Sequence, residues 1–251
     1  MISKKKLDNL VKTYEVKTFT DNDPSQFLRK FKNENDIEIA SFISALFSFG
    51  KREAFIQKLN EIFDIMGSSP LNFILNFYKK SNHFKNFKYR FIKEEDLVEL
   101  LLCLKKLYSN GGSLKSLFEY GYKSSGNLKE MLKIVVDYFY ANSINNDTVG
   151  FKHLLPKPCN GSAMKRFCMF LRWLVRSGEV DLGIWDFIPK NELLIPMDTH
   201  VIQQAQKMGL LKKPKADYKT AVELTNILKK FDPNDPAKYD FALFGYGIEN
   251  D

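Results

Sequence analysis

Residues 155–201 read LPKPCNGSAMKRFCMFLRWLVRSGEVDLGIWDFIPKNELLIPMDTHV. Between Ser162 and Arg176, the residues Met164, Phe167, Cys168, Leu171, Leu174 and Val175 recur at helical intervals. This predicts a buried helix from Ser162 to Arg176. Lys165, Met169, Arg172 and Arg176 run beside that face at steps of four, three and four, as a basic seam. Pro189 to Pro196 interrupts the pattern. Asp198 then stands where a second helix, Thr199 to Met208, begins, and aspartate is a natural cap there.

Outward from this stretch the chain keeps the same helical period. Ser3 caps a helix to about Val16, and Asp23-Pro24 opens a short one, since proline suits a first helical turn. Asp36 to Phe49 is apolar on nearly every side and is predicted as a central helix ending at Gly50. Helices are also expected at Arg52 to Met66, Pro70 to about Tyr78, Leu97 to Tyr108, Ser113 to Tyr120 and Leu128 to Tyr140. Tyr218 to Phe231 and Ala237 to Tyr246 complete the set. No run alternates convincingly as a strand, and no glycine-rich nucleotide-binding loop occurs. An all-α fold follows. The polar run Asn142 to Asp147 is the best place to divide two helical lobes, about 1–145 and about 146–251.

Composition narrows the function. The 251 residues include 22 Phe, and hydrophobic residues make up 44% of the chain, enough for a substantial aromatic core. The formal net charge of +8 suits a polyanionic partner, although charge alone does not require one. Cys103, Cys159 and Cys168 form no CxxC pair and read neither as a disulfide framework nor as a zinc site. No signal peptide is visible at the start and no apolar run is long enough to span a bilayer, so a cytoplasmic protein is expected, without membrane association. The basic, aromatic segment Lys79 to Phe91 reads as a solvated loop with its phenylalanines turned into the core. A nucleic-acid strip is the alternative.

Two side chains in the opening stretch carry chemistry. Lys165 sits near a helix N-terminus, where the dipole disfavours an ammonium. A lysine relieved of its proton has the lone pair that a nucleophile needs. Asp198, fixed by backbone N–H groups, offers a carboxylate of fixed position. Taken singly, Lys165 also fits an ordinary position on the polar seam, and Asp198 a pure cap.

Taken together, the two segments resemble the helix-hairpin-helix superfamily of DNA glycosylases. In that superfamily a hairpin leads into a helix carrying a catalytic lysine, and a downstream Asp-Thr-His segment carries a catalytic aspartate. Pro196-Met197-Asp198-Thr199-His200-Val201 matches the second part. Leu155-Pro156 and Gly161 before Lys165 occupy the place of the hairpin, with a longer loop and no G-x-G pair. Lys165 precedes Asp198 by 33 residues. That spacing, and the Lys165-Arg166-Phe167 start, look like the archaeal 8-oxoguanine DNA glycosylase branch and a bacterial family of conserved proteins related to it. Asp240 and Phe244 match that branch's terminal helix, with Phe in place of the usual Trp.

The resemblance implies a bifunctional DNA glycosylase and AP lyase acting on 8-oxoguanine in double-stranded DNA. Lys165 would attack and Asp198 would assist. Asp240 and Phe244 would hold the flipped base, and His200 the flipped nucleotide. Lys157, Gly161, Arg166 and Arg172 would contact the DNA backbone. No metal or organic cofactor is required, and a monomer is expected. A non-catalytic helical DNA-binding module, a glycosylase for another damaged base, and a protein-interaction domain are the alternatives.

Overall fold

The computed structural model describes residues 2–158 and 161–250, and these form an all-α protein. The helices, in chain order, are α1 Lys4–Tyr14, α2 Glu34–Phe47, α3 Arg52–Met66, α4 Pro70–Asn76, α5 Glu94–Ser109, α6 Leu114–Ser125, α7 Leu128–Asn142 and α8 Val149–Leu154. Then follow α9 Lys165–Val175, α10 Thr199–Lys207, α11 Tyr218–Lys229 and α12 Tyr239–Asn250. The only strands among the described residues form a hairpin, β1 Lys88–Tyr89 with β2 Ile92–Lys93, and a single antiparallel bridge joins Ser177 and Leu182. Pro24–Lys30 forms a 3-10 helix capped by Asp23, not an α-helix.

The chain divides into two units, and they do not follow sequence order. One comprises residues 23–157, the other residues 1–22 with 158–251. The expected division at 142–147 falls elsewhere for a physical reason. The Ser143 hydroxyl and the Ile144 N–H both donate to Glu99 at 3.0 Å. Asn146 donates to the Tyr140 carbonyl at 2.8 Å, and Thr148 donates to Asp96. A loop so held to α5 and α7 is part of the unit, not a linker. α8, which the sequence pattern did not show, starts here, with Thr148 as its cap and the Asp96 carboxylate also accepting from Phe151 N–H at 3.0 Å.

In the unit of residues 23–157, α2 is the centre. Its residues from Glu38 to Phe47 are buried on every side, as expected of a helix apolar all round. The two acids that enter with it are satisfied. Asp36 accepts from Leu71 N–H at 2.7 Å and Ser69 hydroxyl at 3.0 Å, which ties α2 to the start of α4. Glu38 accepts from the Tyr108 hydroxyl at 3.0 Å and Lys115 N–H at 3.1 Å. In the segment Lys79 to Phe91, Phe84 and Phe87 are buried as expected, but Phe91 is 37% exposed and the end of the segment forms the β1–β2 hairpin instead of a plain loop.

In the other unit, α12 runs between α1 and α10. Leu7 and Val11 of α1 join Val201, Ala205, Leu224, Leu228, Ala242 and Leu243 in one core. Gly245 allows the close approach of α1: a β-carbon there would lie 2.3 Å from Tyr14 Cγ. The Tyr239 hydroxyl donates to Asp8 at 2.8 Å, and the Tyr14 hydroxyl to Glu249 at 2.5 Å. No helix among the described residues is long and apolar enough to cross a membrane.

Candidate active site

Helix α9 begins at Lys165, three residues later than its apolar spacing suggests. Met164 takes a left-handed backbone with φ 52°, which an α-helix cannot continue through. Lys165 is therefore the first helical residue. It sits where unpaired N–H groups and the positive end of the dipole lie. Its side chain is 35% exposed, so it is reachable.

Asp198 caps α10, as expected. Its Oδ1 accepts from Val201 N–H at 2.8 Å. The other oxygen, Oδ2, stands 3.6 Å from Lys165 Nζ, and the Asp198 side chain is 11% exposed. The separation is longer than a hydrogen bond and within ion-pair range. One oxygen fixes the carboxylate and the other faces the amine. The structure thus brings together the two residues on which the sequence argument rested, across 33 residues of chain.

A buried ion network continues along α9. Arg172 and Arg176 are 5% and 3% exposed. Arg172 Nε donates to Asp181 Oδ1 at 3.2 Å, and its Nη1 donates to Asp240. Arg176 donates to Asp181, to Asp235 Oδ1 at 2.9 Å and to Glu15 Oε1 at 3.0 Å. Arg172 also lies over the Phe241 ring, 4.3 Å from its centroid. Four carboxylates thus surround two buried guanidiniums, with Asp181 and Asp240 enclosed and Glu15 and Asp235 at the partly exposed edge. Burial pushes the Asp240 carboxyl up to about 7; Arg172 and Lys165 oppose the rise and the Asp198 charge adds to it. Burial also raises Asp181 and Glu15, against the pull of both arginines.

Arg172 departs from expectation. A backbone contact needs an exposed cation, and this one is enclosed with its charge met by Asp181 and Asp240. Sequence reasoning did not find Asp181, Asp235 or Glu15. The available signal was an arginine and an aspartate standing among Phe, Leu, Trp and Ile, where a charge needs a partner. Asp240 lies at the start of α12 with its carboxylate turned to Arg172. Phe244, one turn on, is half-buried, with Phe19 and His200 meeting it edgewise at 5.9 and 5.8 Å. His200 is the second residue of α10 and packs beside Gly247.

Of the remaining expected contacts, Gly161 is exposed with φ 74°, and Arg166 is half-buried on the first turn of α9. Lys157 belongs to the other unit, with its Nζ 4.4 Å from the Tyr140 ring centroid. Cys159 and Asn160, in the expected hairpin, lie outside the described residues. Among the described residues, no group of three His, Cys, Asp or Glu side chains is arranged to hold a metal ion.

Fold and site together define a class: an all-α protein with a reachable lysine beside a helix-capping carboxylate. Residues 23–249 match the family described as "Protein of unknown function (DUF2400)", and the chain belongs to that family. No curated protein and no solved structure matches it.

Proposed function

We propose that this protein is a DNA base-excision glycosylase with AP-lyase activity, of the helix-hairpin-helix kind, acting on 8-oxoguanine in double-stranded DNA. The observation that carries the reading is the approach of Lys165 Nζ to Asp198 Oδ2 at 3.6 Å, with Asp198 locked as a cap. The net charge of +8 supports a polyanionic substrate. A cytoplasmic location and a monomeric state belong to the same reading.

In this reaction the damaged nucleotide leaves the stack. Lys165 Nζ, after losing a proton, forms a bond to C1′ of the sugar. The C1′–N9 bond breaks, and the base departs with the electron pair and takes up a proton. Opening of the sugar ring gives a protonated Schiff base, and loss of a C2′ proton expels the 3′ phosphate. Asp198 assists the transfer of the Lys165 proton to solvent and, as a carboxylate, stabilises the positive charge developing at C1′. Asp240 accepts from Arg172 and is enclosed, so in this reading its part is to hold the start of α12 against α9 beside the site.

Borohydride trapping tests the reading. Wild type with an 8-oxoguanine duplex is expected to give a covalent adduct, and Lys165→Gln none. Absence of any adduct across a panel of damaged bases, with duplex still bound, would favour a non-catalytic DNA-binding module.

A further inference from the structure

In the unit of residues 23–157, β1 and β2 are joined by only two residues, Arg90 and Phe91, since Tyr89 pairs with Ile92 and Lys88 with Lys93. Such a turn calls for positive φ, which glycine or asparagine ordinarily supplies. Here Arg90 supplies it, at φ 55°. Holding a residue with a β-carbon there costs about 1 kcal/mol. The strain keeps a guanidinium at the tip, and the surroundings hold it in place. A β-carbon on Gly50 would lie 2.8 Å from Arg90 Nη1 and 2.9 Å from the Tyr89 hydroxyl, so the arginine crosses bare backbone. The Tyr89 hydroxyl in turn donates to the Phe49 carbonyl.

Phe91 is equally fixed. Its ring stacks on Phe49 at 5.7 Å and meets His153 edgewise at 4.6 Å, yet it remains 37% exposed. Lys51, Lys85, Lys88 and Lys93 are exposed nearby in the sequence of these same segments. The acids there are Glu53, Glu94 and Glu95. Glu94 accepts from Asn86 N–H at 2.8 Å, and Glu95 pairs with Lys93 at 3.8 Å. Lys51, Lys88 and Arg90 make no ion pair among the described residues.

We propose that this hairpin tip binds double-stranded DNA, with Lys51, Lys88 and Arg90 against phosphates and Phe91 as an apolar wedge at the base stack. A single-strand surface presents several ring faces in a row. Here Phe84, Phe87 and Tyr89 are 3%, 4% and 5% exposed, which leaves one partly exposed ring, Phe91, between cations. That is the arrangement of a wedge in a duplex. Binding of this kind needs neither Lys165 nor a lesion.

The test is fluorescence anisotropy of a labelled, undamaged duplex of about 20 base pairs with the full chain over a salt series, a length that spans a typical contacted site. The double variant Lys88→Ser, Arg90→Gly is expected to flatten the plot of log K against log salt by about 2, at ~0.9 per lost phosphate contact. Its affinity at low salt should fall about tenfold. Arg90→Gly relieves the positive φ, so thermal stability should hold or rise, and weaker binding cannot then be ascribed to unfolding. Phe91→Ala should leave the slope unchanged and lower affinity about tenfold. An unchanged slope and affinity in the double variant overturns the proposal, and so does tighter wild-type binding to the matching single strand than to the duplex. If Lys165 gives no trapped adduct while the salt slope shifts as stated, the DNA surface stands and the excision reading falls.

Discussion

The Arg172 guanidinium donates to Asp181 and Asp240 at once, so the acid that opens α12 is tied to α9 seven residues beyond Lys165. Replacing Arg172 with methionine removes the cation and leaves two buried carboxylates facing each other. The expected loss is about 3–5 kcal/mol, read by urea denaturation. A loss below about 1 kcal/mol, accompanied by weaker DNA binding, would return Arg172 to a surface role.

Asp240 sets a pH dependence. Its folded-state pKa, raised to about 7, lies above that of an unfolded carboxyl. Between about pH 4 and 7 the unfolded chain gives up this proton more readily, so the side chain lowers stability as pH rises through that window. Asp240→Asn has no such proton. Its stability relative to wild type is therefore expected to climb from pH 4 to pH 7, by at most about 4 kcal/mol. Parallel stability curves for the two proteins would show that Asp240 titrates normally.

Asp198 carries two roles that different substitutions separate. Asparagine caps a helix nearly as well as aspartate, so Asp198→Asn should keep stability within about 0.5 kcal/mol, while Asp198→Ala should lose about 1 kcal/mol. Both variants should slow single-turnover excision by about 100-fold or more, because each removes the charge facing Lys165. Wild-type excision by Asp198→Asn would leave the residue with capping alone.

Gly245 is a packing contact that thermal unfolding can read. A methyl group there meets Tyr14 Cγ at 2.3 Å, and the ring is backed by its bond to Glu249. Gly245→Ala should cost about 1–3 kcal/mol. An unchanged melting temperature would mean that α1 and α12 shift apart without loss.

Helix was legible wherever the cause of helix is local. Ser3, Asp23-Pro24 and Asp198 mark ends through their own side chains or backbone, and each stands where the structure uses it. Features with distant causes were not legible. α8 is six residues long and is anchored by Asp96, a residue of α5. The β1–β2 strands are too short to show alternation, and their turn is made by Arg90 without the glycine or asparagine that signals one. Arg172 belongs to the basic seam by spacing. Only Asp181 and Asp240, supplied by later segments, turn that position from a surface into an interior one. The later start of α9 follows from the backbone of Met164, a residue type that carries no breaking signal.

The packing of α1 against α12 has a consequence for synthesis. The stretch from Asp23 to Lys157 is a compact unit with its own buried residues, among them Phe42, Leu100 and Phe139, and such units generally fold as they are made. α1, made before it, shares a core with Leu224, Leu228 and Leu243, which are translated long after it. During elongation Leu7 and Val11 therefore remain without their native partners while an entire body folds behind them. A nascent chain arrested near residue 190 should present α1 to proteases and to holdase chaperones, and a chain extended beyond Leu243 should bury it.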